Sequence, residues 1–381
     1  MKKWICVGLI LSMLVLPVQA QPEGLSVAGK SALLMDAATG TVLFESNSHE
    51  KLAPASVTKV MTLLLIMEAI DSGKIGWKDT VTASAEAAAK GGSQIFLKEG
   101  ETMSVEDMVK SIAVSSANDC ACAMAEHIAG SEAAFVDLMN QKAKELGMND
   151  TNFVNCTGLD DEPEAENHKT SAYDIALMSR ELIVKHPDIE KYTTIWMDTV
   201  RNGTFGLSNT NKLIRFYSGA TGLKTGYTSG AGYCLSATAK RDGMELIAVV
   251  MGCETSKERL AACKTLLDFG FANYALVTPE LSGSNPVPVK LGTENQVNAV
   301  PGENPQLLIS KGQKDMVTTH ITLEEGVTAP VSRGQRLGTL EIKAGDQILA
   351  QVSMVAEAPV ERLTLGQLFV QMLRQLSGSP A

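Results

Sequence analysis

Hydrophobic and polar positions alternate in two short runs near the start of the chain. Residues 31–36 and 41–45 both show the two-residue period of a strand, and Ala38-Thr39-Gly40 lies between them. Alternating runs on either side of a glycine-containing turn predict a β-hairpin. Three more strands are predicted at about residues 222–227, 233–239 and 245–252.

Apolar stretches with helical spacing occupy the sequence between these two groups of strands. One predicted helix runs from about Ser56 to Ile70, and residues 104–130 predict two helices with a break around residues 115–118. Asn118 or Asp119 is the expected N-cap of the second of these, and Gly130 its end. Two further helices are predicted, at about residues 171–185 and 258–274. The order predicts an α+β fold, with a five-stranded antiparallel sheet flanked by helices.

The pattern changes after Pro279. Short alternating segments follow a linker-like stretch at residues 281–286, and they predict a small β-rich domain over residues 279–360. The predicted strands of this domain are residues 317–323, 335–342 and 347–355. The preceding domain is then expected to span residues 21–278.

Helical spacing returns at residues 361–381, the C-terminal segment. One apolar stripe is formed there by Leu365, Leu368, Phe369, Met372, Leu373 and Leu376. The stripe favours a helix that lies on a membrane surface, and packing onto a partner is the alternative. Arg362 and Arg374 are its only basic residues, fewer than an anionic bilayer would favour.

The N-terminus indicates the compartment. Lys2 and Lys3 precede an apolar run from Trp4 to Leu16, and Val18-Gln19-Ala20 offers small residues for cleavage. This order predicts a secretory signal peptide at residues 1–20 and therefore an exported protein; a buried N-terminal helix is the alternative.

Composition narrows the possible partners. The 381-residue chain has a formal net charge of −10 and no segment rich in lysine and arginine, so a nucleic-acid partner is not expected. Six of its seven cysteines follow the signal peptide, and we expect them to be small buried thiols. A metal site formed by Cys120, Cys122 and His127 is a weaker alternative.

Three short motifs carry the candidate chemistry. Ser56-Val-Thr-Lys59 opens a predicted helix, where a three-residue spacing lets the Lys59 amine reach the Ser56 hydroxyl. The same spacing at Ser48-His-Glu-Lys51 lies in a polar stretch and has no such context. As a base, Lys59 needs a pKa about 3–5 below the ordinary ~10.4, through burial and nearby positive charge such as that of Lys224. On their own, Ser56 could be a helix cap and Lys59 a solvated lysine.

The second and third motifs supply polar groups suited to a peptide end. Ser116-Ala-Asn118 lies at the helix break, where a hydroxyl and an amide can project into a cleft, although simple capping would also explain them. Lys224-Thr225-Gly226 lies on a predicted edge strand, where an amine and a hydroxyl suit a substrate carboxylate and a glycine permits close approach. Alone, it could be a surface strand end.

With these motifs in this order, the chain resembles the low-molecular-mass penicillin-binding proteins that are D-alanyl-D-alanine carboxypeptidases. The resemblance extends over nearly the whole length, with Ala117 where the family often has glycine. Further segments similar to family blocks are residues 53–59, 118–119, 155–160 and 221–228.

The resemblance implies a penicillin-binding/β-lactamase-like fold and a role for each residue. Ser56 would be the nucleophile, Lys59 the general base and Ser116 the proton carrier to the leaving amine. Asn118 would orient Lys59 and the peptide. Lys224 and Thr225 would bind the terminal carboxylate, and Gly226 would let the substrate approach the backbone closely. The Tyr227 and Ser56 N–H groups would form the oxyanion hole.

The expected substrate is a peptidoglycan stem peptide ending in D-Ala-D-Ala, with β-lactams as acylating inhibitors and no metal or cofactor. The expected location is the outer face of the cytoplasmic membrane, with peripheral attachment. Three other functions stay open at this stage: a peptidoglycan DD-endopeptidase, a class A-like β-lactamase and a non-catalytic wall-binding protein. The β-lactamase reading draws on residues 162–167, which partly resemble the deacylating glutamate segment of that enzyme.

Overall fold

The computed structural model describes residues 25–161, 163–279, 283–303 and 305–376. The predicted signal peptide lies outside these residues. The described chain divides into two compact units, a larger one that ends at Tyr274 and a smaller one that begins at Ala275.

The larger unit is built on one five-stranded sheet. The strands of the whole unit are β1 (Ser31–Asp36), β2 (Val42–Ser46), β3 (Thr80–Thr82), β4 (Thr102–Ser104), β5 (Met197–Val200), β6 (Phe205–Ser208), β7 (Ala220–Thr228), β8 (Gly232–Arg241) and β9 (Met244–Cys253). The sheet order is β2-β1-β9-β8-β7, with every neighbouring pair antiparallel, while β3-β4 and β5-β6 form separate hairpins. The predicted five-stranded antiparallel sheet is confirmed, and β7 forms one edge of it.

Helices cover both faces of this sheet. They are α1 (Lys59–Asp71), α2 (Ala85–Ala88), α3 (Val105–Ser115), α4 (Asn118–Ala129), α5 (Glu132–Glu145), α6 (Ala172–Lys185), α7 (Glu190–Thr193), α8 (Leu213–Phe216) and α9 (Ser256–Asn273). Leu33 and Met35 of β1 belong to the large core with α1 and α6, whereas Leu34 lies against Gly270 of α9. Successive residues of β1 are therefore buried against helices on opposite faces of the sheet. An antiparallel sheet covered by helices on both faces confirms the predicted α+β class.

Two predicted helix starts differ from the structure. Residues Ala55–Thr58 form a 3₁₀ turn, so α1 begins at Lys59 and not at Ser56. Ala55, directly before the predicted start, has a positive φ of 49°. Helix α4 has Ala117 as its N-cap, because Asp119 instead accepts hydrogen bonds from the backbone of Ile95 and Leu97 in a neighbouring loop.

The smaller unit is rich in strands. Its strands begin with β10 (Tyr274–Val277), whose first residue is the last of the larger unit. The others are β11 (Pro286–Lys290), β12 (Gln296–Pro301), β13 (Leu307–Ser310), β14 (Val317–Leu323), β15 (Val327–Thr328), β16 (Arg336–Ala344) and β17 (Gln347–Ala356). Six of them form one sheet in the order β14-β16-β17-β12-β11-β15, and β10 pairs with β13. The three strands predicted here from the sequence correspond to β14, β16 and β17.

The C-terminal segment contains helix α10 (Leu365–Leu376), and several stripe residues are exposed on it. Leu365 is 87% exposed and Phe369 63%. Among the described residues, no helix combines the length and the apolar character needed to cross a bilayer.

The cysteines that follow the signal peptide are free and buried, as expected. The alternative of a metal site formed by Cys120, Cys122 and His127 is wrong, because the structure does not bring these three residues together as a ligand group. In the described part of the chain, the one group of candidate metal ligands consists of Glu86, Cys122 and Glu126, and it includes neither Cys120 nor His127.

Candidate active site

The Lys59 amine is within hydrogen-bonding distance of the Ser56 hydroxyl. Its Nζ is 2.8 Å from Ser56 Oγ and also donates to the carbonyl of Thr157 at 2.8 Å. Lys59 is fully buried, and burial lowers its pKa from 10.5 to about 7. Since a charged amine loses its hydration in such a place, the neutral form becomes accessible near pH 7. A neutral amine beside a hydroxyl can take its proton.

Burial is the largest cause that lowers the pKa of both amines of the site. The sequence predicted that the charge of Lys224 would help lower the pKa of Lys59, but burial alone lowers it, and Asp119 opposes that effect. Burial lowers the pKa of Lys224 well below its ordinary value, and the charge of Lys59 lowers it further. Two positive charges buried in the same site are unfavourable, so Lys224 is poised to gain from an anionic ligand.

The third motif lies against the segment that carries Ser56. A Cβ on Gly226 would fall 2.5 Å from the Pro54 carbonyl oxygen and 3.1 Å from the Ser56 nitrogen. Only glycine therefore allows β7 to come so close to this segment. Lys224 is 1% exposed, and Thr225 Oγ1 is 2.6 Å from Thr210 Oγ1. Tyr227 is 55% exposed, with its ring 4.3 Å from that of Tyr233.

The second motif occupies the break between α3 and α4. Ser116 caps α3 in the left-handed conformation, with φ 63° and ψ 30°, and is buried. Such a conformation is costly for a serine and is often found at functional sites. The Asn118 side-chain amide donates to the Gly91 carbonyl at 2.7 Å.

The predicted contact between Asn118 and Lys59 is not among the hydrogen bonds of the described residues. Thr157 holds the amine instead. Asn118 Oδ1 is buried and has no hydrogen-bond partner in the part of the chain that the structure describes. A buried acceptor without a partner is unfavourable, so this oxygen is free to accept an N–H group from a bound peptide.

Three residues near the motifs were not predicted as site residues. Thr157 lies in the segment 155–160 that resembles a family block, so a signal for it existed. Thr210 had none. Arg259, from α9, donates from its Nη1 to the carbonyl oxygens of Gly226 and Cys234 at 3.2 and 3.3 Å. Its side chain thereby fixes β7 from the face opposite α1, and nothing in the local sequence distinguishes it from other helix arginines.

Comparison with known proteins gives two family matches. Residues 17–255 match the family described as D-alanyl-D-alanine carboxypeptidase, and residues 281–362 match the C-terminal domain of penicillin-binding protein 5. The chain is 46% identical over 358 residues to the D-alanyl-D-alanine carboxypeptidase DacF of Bacillus subtilis, covering 92% of this chain and 89% of that one.

Solved structures agree with these matches. Penicillin-binding protein 5 of Haemophilus influenzae has a TM-score of 0.75 and 31% identity, covering 90% of this chain and all of that one. Penicillin-binding protein D2 of Listeria monocytogenes in a cefotaxime-bound form has a TM-score of 0.60 and 31% identity, over 66% of this chain and 100% of that one.

Proposed function

Because the chain belongs to the D-alanyl-D-alanine carboxypeptidase family, we propose that the residues gathered around Ser56 carry out the reaction of that family. The protein is a serine-type D-Ala-D-Ala carboxypeptidase of the low-molecular-mass penicillin-binding type. Its substrate is the peptidoglycan stem peptide, and the enzyme also binds β-lactams. The role of each residue below is part of the proposal.

Acylation begins at Ser56. The neutral Lys59 amine removes the hydroxyl proton while Oγ attacks the carbonyl between the two terminal D-alanines. Negative charge develops on that carbonyl oxygen, and the Ser56 and Tyr227 N–H groups stabilise it. The C–N bond then breaks. The Ser116 hydroxyl donates its proton to the departing D-alanine amine and takes up the proton that Lys59 removed from Ser56. Water hydrolyses the ester on Ser56 in the second half of the reaction.

Lys224 and Thr225 bind the terminal carboxylate of the substrate. In the free protein, burial and the charge of Lys59 disfavour the protonated form of Lys224. A bound carboxylate supplies the opposite charge and therefore favours the cationic form of Lys224. The site thus recognises a free C-terminal carboxylate, which a carboxypeptidase requires.

One observation supports this proposal most strongly: a fully buried lysine amine, with its pKa lowered to about 7, is 2.8 Å from a serine hydroxyl. The test is labelling with a fluorescent penicillin, together with release of D-alanine from a pentapeptide. Ser56→Ala should abolish both activities, whereas Ser48→Ala should retain both. Persistent labelling of Ser56→Ala would show that another residue is acylated.

For the location, we propose export followed by peripheral attachment through α10. Leu365, Phe369, Met372 and Leu373 are each at least half exposed, so an apolar face is available for a bilayer surface. Half-burial of all six stripe residues would contribute roughly 5–9 kcal/mol before ordering costs.

A matched pair of variants tests this attachment. Deletion of residues 361–381 should release the protein from membranes. Phe369→Glu, on the stripe, should weaken sedimentation with anionic lipid vesicles, and Gln371→Glu, off the stripe with the same added charge, should weaken it much less. Equal loss in both single variants would mean that charge, and not the apolar face, controls binding.

A further inference from the structure

A buried chain of hydrogen bonds ends on the peptide group directly before Ser56. The Val154 N–H donates to Nδ1 of His168 at 3.1 Å, which makes Nδ1 the acceptor and leaves the proton of the neutral ring on Nε2. His168 Nε2 is 2.8 Å from Thr58 Oγ1, and Thr58 Oγ1 donates to the Ala55 carbonyl at 2.8 Å. Burial lowers the pKa of His168 to about 4, so the ring is neutral at pH 7.

The carbonyl at the end of this chain is held in an unusual place. Ala55 has a φ of 49°, a conformation that is strained for alanine. On its other side, a Cβ on Gly158 would lie only 1.9 Å from the Ala55 oxygen, so Gly158 packs directly against it. The surrounding structure must therefore stabilise this peptide group, and Thr58 supplies a hydrogen bond that does so.

The same peptide group contains the N–H of Ser56. A peptide bond is planar and trans, so its C=O and N–H point in opposite directions as one rigid unit. A hydrogen bond that fixes the Ala55 carbonyl consequently fixes the direction of the Ser56 N–H. Donors of an oxyanion hole are effective because they are aimed before the reaction begins.

We propose that His168 and Thr58 are positioning residues for the oxyanion hole. His168 orients the Thr58 hydroxyl, Thr58 holds the Ala55 carbonyl, and the Ser56 N–H is thereby aimed at the oxygen on which charge develops. Neither side chain needs to touch the substrate. This inference rests on the roles proposed above for Ser56 and its N–H group.

The first test compares Thr58→Val with Thr58→Ser. Valine has nearly the shape of threonine but no hydroxyl, whereas serine keeps it. The second-order rate of acylation by a penicillin should fall at least about tenfold in Thr58→Val, since loss of an oxyanion donor costs about 10²–10³-fold. It should stay within about threefold of wild type in Thr58→Ser. A Thr58→Val protein that folds and is acylated at the wild-type rate would overturn the proposal.

A second readout separates orientation from general damage to the fold. Sulfur accepts hydrogen bonds poorly, so an intact oxyanion hole favours an ester substrate over its thionoester analogue. This preference should shrink in Thr58→Val and persist in Thr58→Ser. An unchanged preference in Thr58→Val would mean that the hole is intact and would contradict the inference.

His168 provides an independent pair. A glutamine amide at this position can still donate to Thr58, but leucine cannot, so His168→Gln should be acylated faster than His168→Leu. Equal acylation rates in these two variants would also overturn the proposal. If wild-type Ser56 were not labelled by penicillin at all, the proposed function itself would fail, and this outcome is distinct from both others.

Discussion

Two segments of the chain share the Ser-x-x-Lys spacing and differ in everything that chemistry requires. In the second, Lys59 is fully buried and lies on the Ser56 hydroxyl. In the first, the Lys51 side chain is 58% exposed and faces Asp150, and the Ser48 hydroxyl donates to the Glu45 carboxylate at 2.7 Å. The first segment is a turn after β2, whereas the second is a 3₁₀ turn that leads into a buried helix.

The difference shows that spacing only permits the contact between serine and lysine. Burial changes the chemistry of the amine, because it removes the water that stabilises the charged form. Gly158 and Gly226 also pack closely against the backbone of residues 54–57, which carries the hydroxyl. The exposed Lys51 amine beside Asp150 has neither property.

Replacing each lysine should give the largest effect. Lys59→Ala should slow acylation of Ser56 by penicillin about 10³-fold, because general base catalysis contributes about 10²–10⁴-fold. Lys51→Ala should stay within about twofold of wild type. Stopped-flow acylation kinetics measure both rates. Comparable losses in the two variants would remove the distinction between the segments.

Packing around Ser56 can be tested with two glycines of similar conformation. Gly158 has a φ of +82° and its Cβ would meet the Ala55 carbonyl, whereas Gly147 has a φ of +73° and open space around it. Gly147→Ala should cost about 1–2 kcal/mol, from the backbone conformation alone. Gly158→Ala should cost roughly 3 kcal/mol or more, because backbone must also move. Urea unfolding measures both, and equal costs would refute the predicted clash.

The pH dependence of acylation should follow Lys59. With a pKa of about 7, the base is protonated at lower pH, so acylation should rise about tenfold per pH unit up to 7 and then level off. The Lys51→Ala variant should show the same profile. A rate that is flat between pH 5 and 7, in protein that circular dichroism shows to be folded, would exclude Lys59 as the base.

The smallest predicted effect is on stability, and its sign is opposite to that on activity. The folded pKa of Lys59 is about 7, below the 10.5 of an unperturbed lysine. Between pH 7 and 10.5 the unfolded chain therefore binds more protons than the folded one, so the free energy of unfolding rises with pH over this range. Below pH 7 the folded protein bears the full cost of burying the charged amine. At pH 7 the penalty is about 4 kcal/mol, and lost hydrogen bonds offset about 1–3 of it on replacement.

The free energy of unfolding of Lys59→Met, measured by urea denaturation, should accordingly exceed that of wild type by about 1–3 kcal/mol, although this variant is inactive. Lys51→Met should change stability by less than about 0.5 kcal/mol, as exposed substitutions usually do. Destabilisation of Lys59→Met would mean that the hydrogen bonds to Ser56 and Thr157 outweigh the burial of the amine.

The sequence predicted the sheet well, because its strands are short, largely apolar segments separated by turns that contain glycine, such as residues 38–40 between β1 and β2 and residues 241–243 between β8 and β9. It placed the start of α1 three residues early, because the 3₁₀ turn at Ala55–Thr58 leads directly into the helix and the sequence pattern does not separate the two. It assigned Asn118 and Asp119 as caps, yet both side chains hold the loop at residues 91–97.

For the site, the three motifs identified residues that the fold brings to one place, but not their supports. Thr157, His168 and Arg259 lie far from Ser56 in the sequence. Only the tertiary structure brings them to Lys59, Thr58 and Gly226, respectively. The expected influence of Lys224 on Lys59 was wrong for a related reason. The sequence does not show that both amines are fully buried, and burial is the largest cause that lowers the pKa of each.

The buried thiols have a practical consequence for handling the protein. All six cysteines that the structure describes are buried, and burial raises the pKa of Cys253 to about 11 and that of Cys156 well above its ordinary value. Maleimides react with exposed thiolates, so the native protein should resist them. A single cysteine introduced on the surface could then carry a fluorophore or spin label without removal of the natural ones.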